Sequence, residues 1–296
     1  MSTARKLSSV QVDVFTDRVL TGNALAVVLD GRGLTTEQMQ AIARETNLSE
    51  TTFILPDDPA TKKSEGTRVR IFTVQEELPF AGHPTLGTAF VLHSQTGASE
   101  IVLDLNVGRV PVRFEKRNGL PFGEMTQKDP EFGAIHDRET LARLTGLNLS
   151  DFADAPIQTV STGVPFTIAL LRSLKTLQSF RLDVARAAEY LSRSGGKFLY
   201  FVCRETVNPK AHLHARMYFY NGEDPATGSA AGCCAAWMVA HGVAPVDEQV
   251  MIEQGLEMHR PSSIFVRATK RDNQVVNVRV GGNCVEVFRA ELSLTL

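Results

Sequence analysis

Three side chains that can carry or accept a proton stand at turns of the chain. Glu50 ends the segment NLSE and directly precedes the strand-like run TTFIL, so its carboxylate lies at a junction between a loop and a strand. His83 follows the turn ELPFAG, and Asp224 lies inside the turn EDPATGS. A carboxylate or an imidazole placed against a substrate can act as a general acid or base. Glu50, His83 and Asp224 are therefore candidate catalytic residues.

Each of the three also has an ordinary structural interpretation. Most glutamates are surface residues, so Glu50 could be a solvated turn residue. Asp224 could cap a helix, and His83 could fix its turn through its ring nitrogens. Position alone leaves both interpretations open for each residue.

The turns that carry His83 and Asp224 belong to a pattern that occurs twice. The segment Glu77–His83 matches Glu223–Ser229 at an offset of 146 residues, with Glu, Pro and Gly in register. In each copy a strand-like run precedes the turn, and a small apolar helix is predicted after it, at about 83–94 and 229–241. The repeat predicts two similar halves.

Each predicted helix begins at a glycine turn, Gly82-His83 in one half and Gly228-Ser229 in the other. Free backbone N–H groups at a helix start, together with the positive end of the helix dipole, form an anion site. Two such starts facing a shared cleft could hold a carboxylate or a developing oxyanion. The pattern therefore predicts a small anionic ligand.

The composition of these two helices indicates where they lie. Apolar and small residues occupy most of their sides, which is typical of helices buried all round. Strand-like runs flank both, so we predict α+β domains in which a mixed, curled sheet surrounds a central helix. Amphipathic outer helices are predicted at about 36–44, 137–144 and 183–191, each with a start or stop signal.

A domain boundary is predicted in the polar stretch Lys116–Asp129, which contains Asn118-Gly119. It divides the chain into an N-terminal domain, 1–125, and a C-terminal domain that begins at 126. Two domains also suit a length of 296 residues with 43% hydrophobic residues.

Charge and hydropathy exclude several classes of partner. A net charge of −2 gives no electrostatic footprint for nucleic acid. The apolar runs are shorter than the roughly 20 residues that a bilayer span needs, and the first residues lack a signal-peptide pattern. We expect no nucleic-acid or membrane partner and a cytoplasmic location.

Cysteine and histidine spacing predicts no metal site. The four cysteines lack zinc-ligand spacing and are expected to be reduced, with Cys233 and Cys234 packed as hydrophobes in a helix. His212 and His214 alternate along a strand without a third ligand nearby. There is no phosphate-cradling glycine loop, so no nucleotide cofactor is expected.

Five motifs in order resemble the phenazine-biosynthesis isomerase (PhzF-type) family, and the resemblance spans nearly the whole chain. They are Val12–Phe15 (VDVF), Gly22–Val27 (GNALAV), Asn47–Phe53 (NLSETTF), Glu77–Gly87 (ELPFAGHPTLG) and Glu223–Ala231 (EDPATGSAA).

The resemblance implies a diaminopimelate epimerase-like fold, with two pseudo-symmetric domains and a homodimer. By analogy, the last strand, 286–296, returns to the N-terminal domain and leaves 126–285 to the C-terminal one. The implied activity is a cofactor-independent isomerase for a small carboxylic acid, similar to trans-2,3-dihydro-3-hydroxyanthranilate isomerase of phenazine biosynthesis. The family's catalytic residues correspond to Glu50, His83 and Asp224, and its substrate contacts to the set Ser49, Gly82, Thr227, Gly228 and Ser229.

One departure from the wider superfamily bears on the reaction. Amino-acid epimerases place a cysteine at each central turn, whereas this chain has Ala81 and Thr227 there, which disfavours a two-thiol racemase. A non-catalytic relative that binds a metabolite, and an epimerase-like or other proton transfer on another substrate, remain alternatives. Arg70 and Arg216 could clamp a carboxylate or could be structural.

Overall fold

A computed structural model describes residues 5–56, 66–219 and 222–294, and the chain forms two compact units in it. The first unit comprises Met1–Met125 and Gly281–Leu296, and the second comprises Thr126–Val280. The described residues form seventeen strands and six α-helices, so the fold is mixed, rich in sheet and poor in helix.

The first unit contains both parallel and antiparallel strand pairs, with one buried helix and one outer helix. The elements that begin in it are β1 (Arg5–Val14), β2 (Asn23–Val28), α1 (Thr36–Thr46), β3 (Glu50–Leu55), β4 (Thr67–Thr73), β5 (Glu77–Leu78), α2 (Gly82–Thr96), β6 (Glu100–Leu105), β7 (Gly108–Arg117) and β8 (Leu120–Thr126). Strand β2 is antiparallel to β1 and parallel to β3, and β4 is antiparallel to β3 and parallel to β6. This pairing brings the first residue of β3, Glu50, beside Leu25 of β2.

The second unit is built in the same mixed manner. The elements that begin in it are β9 (Glu131–His136), α3 (Arg138–Thr145), β10 (Ile157–Ser161), β11 (Pro165–Leu171), α4 (Leu174–Ser179), α5 (Val184–Ser194), β12 (Phe198–Cys203), β13 (Leu213–Phe219), β14 (Gly222–Asp224), α6 (Gly228–Ala240), β15 (Val250–Gln254), β16 (Ser262–Arg271) and β17 (Gln274–Leu294), with short 3-10 turns at Leu149–Asp151 and Leu256–Met258. Strand β13 is antiparallel to β14 and parallel to β15, which places Gln254 close to the start of α6.

The helices α2 and α6 are buried on every side, as their composition predicts. In α2 every residue from Gly82 to Val91 is buried, and the helix packs on β1, β2, β3, β6 and β7. In α6 every residue from Gly228 to Val239 is buried, and the helix packs on β10, β11 and β16. None of the helices in the described residues has both the length and the apolar character needed to cross a membrane.

The outer helices begin at the predicted capping residues and extend one to three residues beyond their predicted ends. Thr35 and Gln38 form a reciprocal capping box at the start of α1, and Asp183 caps α5 by accepting from the Arg186 amide. Asp137 caps α3 in the same way. Helix α4 was not predicted, because its six residues, LKTLQS, show too short a pattern.

The polar stretch Lys116–Asp129, in which the boundary was predicted, contains the point at which the units divide, after Met125. Most of it belongs to a hairpin of β7 and β8, in which Asn118 and Gly119 both have positive φ, 51° and 82°. An Asn-Gly pair favours the tight turn that matches the twist of a hairpin, and buried side chains alternate along both strands. The units therefore divide within strands, at Met125 in β8 and at Val280 in β17, where the sequence predicted 125 and 285.

The last strand lies against the first strand of the chain. Residues 284–294 of β17 pair antiparallel with β1, from Cys284 opposite Val14 to Leu294 opposite Arg5. The C-terminal residues thus belong to the first unit from Gly281 onward.

Candidate active site

Two bidentate ion pairs hold the turns that lead into α2 and α6. Arg70 of β4 donates from Nε and Nη2 to the Glu77 carboxylate at 2.8 and 2.6 Å. Arg216 of β13 does the same to Glu223, at 2.8 and 2.6 Å. Each arginine is thus engaged by a carboxylate of its own unit, which favours the structural interpretation over a substrate clamp.

In the first unit Glu50 and His83 lie close together in a buried position. Glu50 is 5% exposed at the start of β3, and His83 is 3% exposed in the first turn of α2. The distance from Glu50 Oε2 to His83 Nε2 is 3.5 Å. Burial overturns the solvated-turn interpretation of Glu50, and an acid beside an imidazole is an arrangement that can transfer a proton.

His83 is neutral in this setting. Burial lowers its pKa to about 3, because an imidazolium ion would have to give up its hydration. Its Nδ1 lies 3.1 Å from Nδ2, the side-chain amide nitrogen of Asn23, the first residue of β2. His83 and Glu50 therefore form a pair of a neutral imidazole and a carboxyl group rather than an ion pair.

The predicted neighbours Ser49 and Gly82 lie on the same elements as this pair. Ser49 immediately precedes Glu50 and is half-buried, and Gly82 is the first residue of α2 and is buried. Pro84 follows His83 in the first turn, where a missing N–H removes no helical hydrogen bond. The start of α2 thus presents backbone N–H groups beside the Glu50–His83 pair.

In the second unit Asp224 lies at the end of β14 rather than at a helix cap. It is 5% exposed, and its Oδ2 accepts a 2.5 Å hydrogen bond from the Thr227 hydroxyl. Thr227 is the N-cap of α6 but makes no side-chain cap bond. The N-cap position of α6 is therefore Thr227 and not Asp224, and the Thr227 hydroxyl donates to the Asp224 carboxylate.

Gln254 of β15 organises the turn between Asp224 and α6. Its Nε2 donates to the Asp224 carbonyl at 2.7 Å and to Thr227 Oγ1 at 2.9 Å. Its Oε1 accepts from the Thr227 amide at 3.3 Å and from the Tyr200 hydroxyl at 3.2 Å. A fully bonded buried amide fixes the turn rigidly, and sequence reasoning missed this residue because it lies thirty positions away.

Gly228 and Ser229 begin α6, and both are buried. The Gln127 side chain donates to the Gly228 carbonyl at 3.1 Å and accepts from Thr162 at 2.7 Å. Cys233, one turn further along, contacts the Thr162 hydroxyl at 3.5 Å. The first turn of α6 is thus held by a buried network of hydrogen bonds within the second unit.

The four cysteines are free and buried, and Cys233 and Cys234 pack inside α6 as predicted. Burial raises the pKa of the Cys233 thiol to about 11 and also raises that of Cys234. A thiol of this kind is a poor base near neutral pH, since the thiolate is the reactive form.

His212 and His214, for which the sequence predicted a shared strand, lie in different environments. His212 is exposed, and its Nδ1 accepts from the Met251 amide at 3.1 Å. His214 is fully buried between Glu253 at 2.7 Å and Glu257 at 3.0 Å. Burial alone would lower the pKa of His214, but its hydrogen bonds to the two glutamates outweigh that effect and raise the pKa to about 9. Among the described residues there is no group of three or more metal-ligating side chains that could hold a metal ion.

Raising the pH should remove the stabilisation that His214 supplies. A group whose pKa is raised on folding stabilises fully below its unfolded pKa, near 6.5, and loses that effect as the pH rises through the folded value, about 9. The free energy of unfolding of the wild type minus that of His214→Gln should therefore fall by about 3 kcal/mol over this range. Urea unfolding across it measures the difference.

His136→Gln is the matched control for this measurement. Burial lowers the pKa of His136, which is bonded to Tyr190 and Thr159, so its contribution should be flat above pH 6.5. A wild-type advantage over His214→Gln that stays constant between about pH 6.5 and 9 would contradict the assignment.

A model of the family of phenazine biosynthesis-like proteins matches residues 12–290. This chain belongs to that family. The match runs through both units and covers all five motifs that carried the resemblance, so the predicted family is confirmed.

Relatives of this phenazine biosynthesis-like protein are isomerases by name. An uncharacterised isomerase of Mesorhizobium japonicum is 41% identical, with 95% of this chain and 96% of the relative covered. The trans-2,3-dihydro-3-hydroxyanthranilate isomerase of Pseudomonas chlororaphis is 34% identical, with 96% and 98% covered. A solved structure of a PhzF-family protein from Bacillus anthracis has a TM-score of 0.86 at 27% identity and covers 97% of this chain and 99% of that one. The prediction of an isomerase is confirmed.

Proposed function

We propose that this chain isomerises a small unsaturated carboxylic acid, similar to trans-2,3-dihydro-3-hydroxyanthranilate, without a cofactor. The observation that carries the proposal is the buried pair of Glu50 and His83, 3.5 Å apart beside the start of α2. The named relative at 34% identity supports the choice of substrate.

The reaction requires one group that takes a proton and then gives it back. The Glu50 carboxylate removes a proton from a carbon that conjugation makes acidic, and its own C–O⁻ becomes a carboxylic acid. The electron pair left behind spreads over the conjugated system, and the same proton returns to another carbon of that system. Nothing is oxidised or reduced, so the product is an isomer of the substrate.

A neutral His83 suits this reaction better than a charged one. A protonated imidazole 3.5 Å from Glu50 would stabilise the carboxylate and weaken it as a base. The neutral ring still offers a hydrogen bond that can polarise a substrate oxygen or nitrogen. We assign His83 to that role.

The predicted site residues from Asp224 onward lie in the second unit. We propose that Asp224, held by Thr227, binds an amino or hydroxyl group of the substrate. The starts of α2 and α6, at Gly82 and Gly228-Ser229, suit carboxylate oxygens because their backbone N–H groups and helix dipoles favour anions.

Buried thiols support proton transfer by a carboxylate rather than by cysteine. Cys233 and Cys234 lie inside α6 and have raised pKa values, and Ala81 and Thr227 occupy the two turn positions. The alternative of a two-thiol racemase has no thiol to use at either turn.

The proposal extends to the architecture and assembly of the chain. We propose that the two units are pseudo-symmetric, each with a curled sheet around its central helix, and that the enzyme is a homodimer in the cytoplasm. The repeated pairs Arg70–Glu77 and Arg216–Glu223 support the pseudo-symmetry. Light scattering after size-exclusion chromatography tests the dimer.

The test follows the proton by NMR. Wild-type protein is mixed in deuterium oxide with trans-2,3-dihydro-3-hydroxyanthranilate, and the product is examined for deuterium at the newly protonated carbon. We expect rearrangement with label at that single position, and partial retention of the original hydrogen because one residue carries it across. Binding of the acid without any exchange or rearrangement would indicate a metabolite-binding relative and refute the proposal.

A further inference from the structure

The orientation of the His83 ring is controlled from one side only. Its Nδ1 lies 3.1 Å from the Asn23 amide nitrogen, whereas its Nε2 makes no hydrogen bond to any of the described residues. Both residues are buried, Asn23 being 1% exposed and His83 3%. Asn23 is therefore the residue that can decide which ring nitrogen carries the proton.

The chemistry of an amide fixes the outcome. An amide NH₂ group can only donate, so the nitrogen that faces it must present a lone pair. In a neutral imidazole one nitrogen is an acceptor and the other carries the proton. The proton of His83 is thus on Nε2, the nitrogen that lies 3.5 Å from Glu50 Oε2.

We propose that Asn23 is a positioning residue that holds His83 in its Nε2–H tautomer and so keeps a hydrogen-bond donor directed to the reaction site beside Glu50. This inference rests on the proposed function for its catalytic consequence, but the tautomer itself is independent of the substrate. The opposite tautomer would place a lone pair towards the Glu50 carboxylate and leave nothing there to donate to a substrate.

Asn23 is held firmly enough to perform this task. It pairs with Val14 across β1 and β2, and it follows Gly22, whose φ is +65°. A Cβ atom at Gly22 would lie 2.3 Å from the Val14 carbonyl oxygen, so only glycine permits this entry into the strand. The Asp13 carboxylate also fixes the preceding loop by accepting from the Leu20 amide at 2.6 Å.

The tautomer can be read directly from the ¹⁵N chemical shifts of the His83 ring in the full-length protein. We expect a protonated Nε2 and an unprotonated Nδ1 in the wild type. In Asn23→Asp the side chain has the same shape but can only accept, so Nδ1 should gain a proton, and with Glu50 facing Nε2 the ring should then carry protons on both nitrogens. That variant should isomerise trans-2,3-dihydro-3-hydroxyanthranilate at least about 100-fold more slowly, because a charged imidazole beside Glu50 stabilises its carboxylate and weakens it as a base.

Thr52→Val is the matched control, because it also removes a buried hydrogen bond to α2 without touching His83. Thr52 and Thr88 share a hydroxyl bond of 2.8 Å, and both are fully buried. This variant should keep the wild-type ring shifts and rate, with circular dichroism showing that all variants are folded.

A double mutant separates positioning from general damage. Gln in place of His83 has an amide but no tautomers, so Asn23→Asp should add little further loss in the His83→Gln background. The proposal is overturned if the wild type carries its proton on Nδ1, if Asn23→Asp leaves Nδ1 unprotonated, or if the two losses simply multiply. If Glu50→Gln remains active while the ring shifts behave as expected, the proposed function fails and the tautomer assignment stands.

Discussion

Glu50→Gln should lower the rate of isomerisation by about 10²- to 10⁴-fold, the usual contribution of a positioned general acid or base. The glutamine keeps the size and burial of the side chain at the start of β3 but cannot accept a proton. Glu50 acts only in the proton-transfer step, so its loss should lower kcat and leave KM little changed. Steady-state rates and deuterium exchange into the substrate measure it.

Glu45→Gln is the matched control for this variant. Glu45 lies five residues earlier, on the exposed face of α1, and carries the same charge. Its rate should equal that of the wild type, which excludes a simple effect of net charge. A Glu50→Gln protein that exchanges substrate hydrogen at the wild-type rate would remove Glu50 from the mechanism.

Arg216→Met should destabilise the protein by about 3–5 kcal/mol, the usual cost of leaving a buried charge without its partner. Arg216 is 2% exposed, and its loss isolates the Glu223 carboxylate, which is 12% exposed. Arg216 also donates from Nη1 to the carbonyls of Leu177 and Phe180, at 2.7 and 3.3 Å, around the end of α4. Chemical denaturation measures the change in the free energy of unfolding.

Arg70→Met tests the same geometry in a more solvated position. The Arg70–Glu77 pair has equal donor distances, but its side chains are 19% and 21% exposed, so water can replace part of the interaction. We expect a cost of about 1–2 kcal/mol. Equal costs for the two variants would show that burial of the Arg216 pair is not what makes it important.

Much of the architecture could be predicted because local sequence controls it. The apolar composition of α2 and α6 on all sides requires burial wherever they lie, and the capping residues Thr35 and Asp183 mark helix starts through bonds within one turn. Helix α4 was missed because it is too short to show a period. The polar residues around Asn118-Gly119 form a hairpin turn, and the units divide a few residues further on, at Met125.

The candidate site, by contrast, depends on contacts between residues that are far apart in the sequence. The order of the motifs determined the family, and with it which residues to consider. Whether Glu50 is a solvated turn residue or a buried acid is decided by β2, β4 and α2, which cover it. The roles of Arg70 and Arg216 likewise depend on their carboxylate partners, Glu77 and Glu223.

The sequence by itself determined the family, the isomerase class, the two central helices and the list of residues able to move a proton. Only the tertiary structure decided that His83 is neutral, that Asn23 contacts its Nδ1, and that Gln254 holds the turn at Asp224. The physical reason is that protonation state and hydrogen-bond partner depend on burial and on atoms about 3 Å away. Asn23 and His83 are sixty residues apart along the chain, and no local pattern links them.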